Sequence, residues 1–247
     1  MVKLDETVAL VTGASSGIGA ATARELAAHG ARVILAARRA NRLAEQVAAI
    51  TSAGGQAAAI EADVADPAAL ERLAREAVAV YGRVDALINN AGVGSRDQFA
   101  VVDPAEIEHA LAVNLTAPML LTRLLLPDML ARKRGAIVCV ASVAGHIATR
   151  PVYSATKFGV RGFALALRRQ LRGSGVSVSV VSPGFIRTEL TAYRRGRMPG
   201  PEGVAKAIAE TLVHPRREVV VPATYRGAIA LEAIAPWLLD RQLGPRL

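Results

Sequence analysis

Residues 8–19 read VALVTGASSGIG. The four residues 8–11 are an unbroken apolar run, as in a strand buried on both faces. A turn follows, Thr12-Gly13-Ala14-Ser15-Ser16-Gly17-Ile18-Gly19, and then a helical stretch that reaches His29 and stops at Gly30. Glycine lets the chain bend tightly and approach a pyrophosphate, and a helix N-terminus offers its unpaired N–H groups to the anion. Strand, glycine-rich bend and helix, in that order, predict the phosphate-binding unit of a dinucleotide fold.

Outward from this unit the pattern alternates. Strands are expected at 32–36, 56–60, 84–88, 136–140, 176–181 and 218–221, and helices at 41–52, 67–81 and 152–172. Asp66-Pro67 and Asp103-Pro104 each pair a capping residue with proline at the first helical position. A long helical stretch runs from Pro104 to about Arg134, with kinks or breaks expected at Pro118 and Pro127. Apolar strands separated by helices predict one α/β domain over residues 1–247, a doubly wound parallel sheet of the Rossmann type. Such sheets bind ligands beyond the carboxyl ends of their strands.

Composition narrows the function classes. Hydrophobic residues are 52% of the 247 but aromatics only 4%, so Ala, Val, Leu and Ile must fill the core. The net charge of +9 comes from scattered basic residues rather than one run, and no nucleic-acid partner is expected. The single cysteine, Cys139, sits in an apolar run and reads as a buried thiol. With no signal peptide and no run of 18 apolar residues, a cytoplasmic protein without a membrane-spanning helix is expected. The four histidines lack metal-ligand spacing; His146 is near enough to Ser142 to line a pocket or to serve the structure.

The second strand ends in Ala37-Arg38-Arg39 with no acid at its tip. A carboxylate there would bind ribose hydroxyls, whereas guanidinium groups pair with a 2′-phosphate. NADP (NADPH) is therefore the expected cofactor and NAD the second choice, with Arg38 the first candidate for the phosphate and Arg39 beside it.

Tyr153 and Lys157 lie four residues apart at the start of a helix, on one face. A cation there is expected to lower the phenol pKa and make Tyr153 an acid/base. Ser142, at the end of a strand, either orients a substrate oxygen or caps the next turn. Asn114, inside a helical stretch, reaches a water or a backbone group, or is simply tolerated.

The series Thr12 to Gly19, Asp63, Asn89-Asn90-Ala91-Gly92, Asn114, Ser142, Tyr153, Lys157 and Pro183-Gly184 resembles the short-chain dehydrogenase/reductase family over about residues 6–190. The resemblance implies an oxidoreductase that interconverts a carbonyl and a secondary alcohol, with Tyr153 as acid/base. Lys157 would bind the nicotinamide ribose and lower the Tyr153 pKa, Ser142 would orient the carbonyl, and Asn114 would complete a proton relay through water. The implied cofactor contacts are Gly13, Ser15, Ser16, Gly17, Ile18 and Gly19 at the bend, Arg38 and Arg39, Asp63 at the adenine with Val64, and Asn90, Ala91 and Gly92 at the adenosine side. Pro183, Gly184, Ile186 and Thr188 would approach the nicotinamide and phosphates, along with Tyr153 and Lys157. A homodimer or homotetramer is implied as well.

Residues 185–201 are polar and basic and are expected to form a substrate lid; Arg194, Arg195 and Arg197 would meet an acidic substrate or carrier, or only solvent. The tail, 222–247, is apolar. Leu231, Ile234 and Leu238 have helical spacing, interrupted or restarted at Pro236. It would pack on its own domain, join subunits or touch a membrane. It lacks the Asp-Gly-Gly turn of the family's carrier-protein reductases, which weakens a 3-oxoacyl reductase as the narrower alternative. A non-catalytic dinucleotide sensor and a sugar-nucleotide epimerase are the other readings.

Overall fold

Each strand of the sheet carries small or branched side chains on both faces, and helices cover both. The computed structural model describes residues 3–95, 98–193 and 196–243, with residues 242 and 243 described by backbone alone. Seven strands, β1 (Val8–Thr12), β2 (Arg32–Ala37), β3 (Gln56–Glu61), β4 (Ala86–Asn89), β5 (Gly135–Val140), β6 (Val176–Pro183) and β7 (Glu218–Val221), form one parallel sheet in the order β3-β2-β1-β4-β5-β6-β7. The order reverses between β1 and β4, which opens a crevice at their carboxyl ends.

Alternation within a strand feeds two cores. Leu10 points to one face, where α3 (Pro67–Tyr81), α5 (Ala117–Ala131) and α6 (Pro151–Gln170) contribute Leu73, Leu121 and Val160. Ala9 and Val11 point to the other, where α1 (Gly17–Ala28), α2 (Ala40–Ser52) and α7 (Glu202–Val213) contribute Leu26, Leu43 and Ile208. The expected caps form: Asp66 accepts from Ala68 N–H and Asp103 from Ala105 N–H, both at 2.9 Å, opening α3 and α4 (Pro104–Leu111).

The base of the sheet is held by a buried charge. Asp85 accepts from Val8 N–H (3.0 Å), Arg83 (2.8 Å) and Arg132 (2.7 Å). Burial alone would raise its pKa, but the Arg83, Val8 and Arg132 bonds outweigh burial and hold it below the usual carboxylate range.

The stretch from Pro104 to Ala131 corrects one expectation. It does not break at its prolines. A π-helical turn, Ala112–Thr116, joins α4 to α5, Pro118 falls in the first turn of α5, and Pro127 lies inside that helix. Pro118 has no N–H to give the Asn114 carbonyl four residues back, so the irregularity lies one turn before the proline. By length and composition alone this stretch is long and apolar enough to cross a membrane, a test that a buried core helix also passes. Its Leu121, Leu125 and Met129 lie in the core under the sheet.

The tail forms α8 (Tyr225–Ile234) and α9 (Pro236–Leu243), restarted at Pro236. Leu239 is buried with Val143 and Ile147, and Tyr225, Ala228 and Leu231 pack around them. Ile234, Trp237 and Leu238 remain exposed.

Candidate active site

The bend after β1 is built by strain that only glycine tolerates. Gly13 has φ +66°, and a Cβ on it would stand 2.8 Å from Ala91 Cα. A Cβ on Gly19 would overlap the Gly13 carbonyl oxygen, so Gly19 lets α1 close onto the turn. Thr12 adds a tie that the sequence reading did not assign. Its hydroxyl accepts from Asn90 N–H (3.0 Å) and Ala91 N–H (3.1 Å), while the Asn90 amide donates to the Thr12 carbonyl (2.8 Å). The ends of β1 and β4 are thereby locked together. Ser16, the N-cap of α1, makes no side-chain cap bond, so the first turn keeps N–H groups available to an anion.

At the tip of β2 the arginines divide. The Arg38 guanidinium is 3.9 Å from the Asp63 carboxylate, at the outer wall. Arg39 turns back across the bend, donating to Ser15 Oγ (2.9 Å) and Ser16 Oγ (2.9 Å), and pairs with Glu189 at 3.0 Å. Arg39, ranked second from the sequence, thus makes the closer contacts to the phosphate-binding turn. Asp63 also accepts from Ala65 N–H (3.0 Å), a local turn bond that fixes its carboxylate.

One cleft of about 710 Å³ runs along the crest of the sheet. Every residue expected to act in catalysis or to contact the cofactor lines it except Gly19 and Asn114. Ser142, Tyr153 and Lys157 therefore open onto the same space as Gly13, Ser15 and Arg38. Ser142 also does what its alternative reading asked of it: it caps a short 3-10 turn, accepting from Ala144 N–H (3.1 Å), and it donates to the Pro183 carbonyl (3.4 Å). Asn114 is buried in the π turn behind the cleft. Its side chain accepts from Val93 N–H (2.8 Å) and donates to the Val93 carbonyl (2.9 Å) and Thr156 Oγ (3.1 Å). The Asn114 amide thus pins the strand end after β4 against α6.

The electrostatics depart from expectation. Burial is the largest influence on Tyr153 and raises its pKa above the usual phenol value; the Ser142 hydrogen bond and the Arg150 cation offset this in part. The Arg150 guanidinium lies 4.9 Å from the Tyr153 ring centre, nearer than Lys157 Nζ at 5.7 Å. Lys157 is itself buried, which lowers its pKa to about 8, and Nζ donates to the Val140 carbonyl at 3.1 Å. The predicted lowering of the phenol by Lys157 is therefore corrected: desolvation dominates at both groups. Cys139 is fully buried and its thiol is pushed up to about 12, as a structural cysteine.

His146 does not line the cleft. It joins a buried cluster around Glu218, at the start of β7. Glu218 accepts from His146 Nε2 (2.6 Å), Arg161 Nε (3.0 Å) and Ser182 Oγ (2.9 Å). Burial works against the Glu218 charge, but bonds from His146, Arg161 and Ser182 prevail and bring its pKa down to about 2. The cluster ties β7 and β6 to α6, which carries Tyr153, and to the turn that Ser142 caps. Nothing local in the sequence marked Glu218, whose partners lie 36 to 72 residues away.

The proposed lid is closed at its base by Arg187 N–H donating to the Pro199 carbonyl (2.9 Å). Thr188 caps a 3-10 turn, Glu189–Thr191, beside Gly17. Arg194 and Arg195 lie outside the described residues, and Arg197 is exposed. No cluster of three metal-ligating side chains occurs among the described residues.

A doubly wound sheet with a glycine-rich bend, and a serine, tyrosine and lysine in one cleft, defines a nicotinamide-dependent oxidoreductase fold and site. The comparisons agree. Residues 7–198 match the short chain dehydrogenase family, and the chain belongs to it. It is 38% identical over 256 residues to a protein of Nostoc sp. named ketoacyl reductase HetN, covering 98% of this chain and 89% of that one. Among solved structures it resembles a metagenomic short-chain oxidoreductase in complex with NADP, at 38% identity and TM-score 0.77, covering 87% of this chain and 96% of the other. It also resembles a short chain dehydrogenase/reductase from Burkholderia phymatum in complex with NAD, at 26% identity and TM-score 0.89, with 97% of each chain covered. The chain is an NAD(P)(H)-dependent oxidoreductase that interconverts a carbonyl and an alcohol.

Proposed function

We propose that this enzyme works with NADPH and that Tyr153 exchanges the proton at the substrate oxygen. The carrying observation is that Ser142, Tyr153 and Lys157 open onto the cleft that also holds the bend and both arginines. The residues fit the cofactor. Gly13 makes room where a Cβ would collide, α1 presents an uncapped N-terminus, and Arg38 and Arg39 supply positive charge at the tip of β2. The α1 N-terminus would hold the pyrophosphate, the arginines a 2′-phosphate, and Lys157 the nicotinamide ribose. When bound, the nicotinamide supplies or takes up the hydride.

The chain's own residues do the rest. Ser142 holds the substrate oxygen against the Tyr153 hydroxyl. Tyr153 Oη gives its proton to that oxygen during reduction and takes it back during oxidation. With its pKa raised by burial, the phenol is protonated at neutral pH, which favours reduction; oxidation requires the phenolate and gains at higher pH. Residues 185–201 act as the lid. Exposed Met119 and Phe158, on neighbouring helices α5 and α6, support self-association.

Tyr153→Phe removes the transferred proton and little else. Its kcat/KM is expected to fall at least about 100-fold, with NADPH affinity by fluorescence titration held within about twofold. Activity close to that of the unaltered enzyme would overturn the assignment.

A further inference from the structure

Glu218 stands outside the cleft, yet it grips the three segments that place Ser142 and Tyr153. Through His146 it holds the turn after Ser142. Gly145 N–H donates to the Ser142 carbonyl (2.9 Å), His146 N–H donates to the Val143 carbonyl (2.9 Å), and the His146 ring then reaches Glu218 at 2.6 Å. Through Ser182 it holds the end of β6, where the next residue, Pro183, offers the carbonyl to which Ser142 Oγ donates. Through Arg161, whose Nε and Nη2 take one carboxylate oxygen each at 3.0 Å, it holds α6 one helical turn beyond Lys157. The turn and the helix also touch directly. A Cβ on Gly145 would stand 2.7 Å from the Lys157 carbonyl oxygen, so the turn comes this close to α6 only because a glycine is there.

From this convergence we infer that Glu218 and His146 are positioning residues for the reaction: they fix the spacing at which Ser142 Oγ and Tyr153 Oη meet one substrate oxygen. The inference rests on the proposed function, which assigns that oxygen to Ser142 and Tyr153. The side chains of His146 and Glu218 are only 8% and 10% exposed, so water is poorly placed to replace a lost bond and the segments must shift instead. A cluster that served stability alone would leave the turnover of folded molecules unchanged. A positioning cluster acts on the chemical step, because a misplacement of about 1 Å between reacting groups costs on the order of 100-fold in rate.

The test uses the full chain with NADPH and a panel of aliphatic, aryl and β-keto ester ketones, well below the melting midpoint, with the best substrate of the panel as the probe. His146→Ala should lower kcat and the single-turnover rate at least about tenfold, with KM and NADPH affinity held within about twofold. His146→Gln, which restores an N–H donor toward Glu218, should recover most of the loss. The decisive readout is a double-mutant cycle with Ser142→Ala, followed in single turnovers. Once the Ser142 hydroxyl is gone, adding His146→Ala should cost less than about twofold more. Losses that multiply in the cycle, or an unchanged kcat in His146→Ala, overturn the inference and leave the proposed function standing. Ser182→Ala, which deletes only a hydroxyl, runs the same cycle where His146→Ala folds poorly. No turnover of any member of the panel, despite bound NADPH, sinks the proposed function and this inference with it.

Discussion

Replacing Glu218 by glutamine should destabilise the protein by an amount its surroundings define. The carboxylate is 10% exposed and receives bonds from His146, Arg161 and Ser182. Its pKa falls from 4.5 to about 2, a difference of about 2.5 units, and at about 1.4 kcal/mol per unit this amounts to about 3 kcal/mol of stability at neutral pH. The loss measured when one partner of a buried ion pair is removed, about 3–5 kcal/mol, is similar. For a chain of this length the melting midpoint should drop by roughly 6–12 °C. The pH dependence carries the sharper test. A depressed carboxylate pKa stabilises the fold above about pH 4.5, and that contribution disappears as pH falls toward 2. The gap between Glu218→Gln and the unaltered chain, read by urea denaturation, should therefore be full at pH 7 and shrink below pH 4.5. A gap under about 1 kcal/mol at pH 7, or one unchanged between pH 7 and pH 3, would refute the reasoning.

Arg39→Ala removes the guanidinium that spans Ser15 and Ser16. NADPH affinity should weaken about 10- to 100-fold, with NADH changed by less than about threefold; an equal loss for both would make Arg39 scaffolding for the bend. Lys157→Met should stabilise the cofactor-free protein while removing activity. A lysine pKa lowered to about 8 means that folding bears the cost of a buried cation below pH 8 and is relieved as pH rises toward 10.5. The variant's advantage in thermal melting should therefore be largest at pH 7 and narrow above pH 8; a variant that melts below the unaltered chain at pH 7 contradicts it.

What the sequence disclosed was local. Asp66-Pro67 and Asp103-Pro104 open helices because a cap and a proline act on the residues beside them. The bend at residues 12–19 is legible for the same reason: glycine spacing is a backbone requirement. Three features depend on partners distant in the chain and stayed hidden. Glu218 at the head of an apolar strand has no local sign of a buried charge. The two arginines after β2 are adjacent in sequence, and only the position of Ser15 and Ser16 distinguishes them. The Tyr153 pKa depends on how deeply the ring is enclosed, which a four-residue spacing does not report. Asn114 was found by its place in the series, but its amide serves the scaffold, through Val93 and Thr156.

The two final helices dock against one end of the cleft that Ser142 and Tyr153 also border. The glycine-rich bend, the two arginines and Tyr153 all belong to the chain before Val221, while Tyr225, Ala228 and Leu239 of the same cleft come after it. Changes at Ala228 or Leu239 therefore reshape one end of the cleft while leaving the bend and Tyr153, which lie earlier in the chain, untouched.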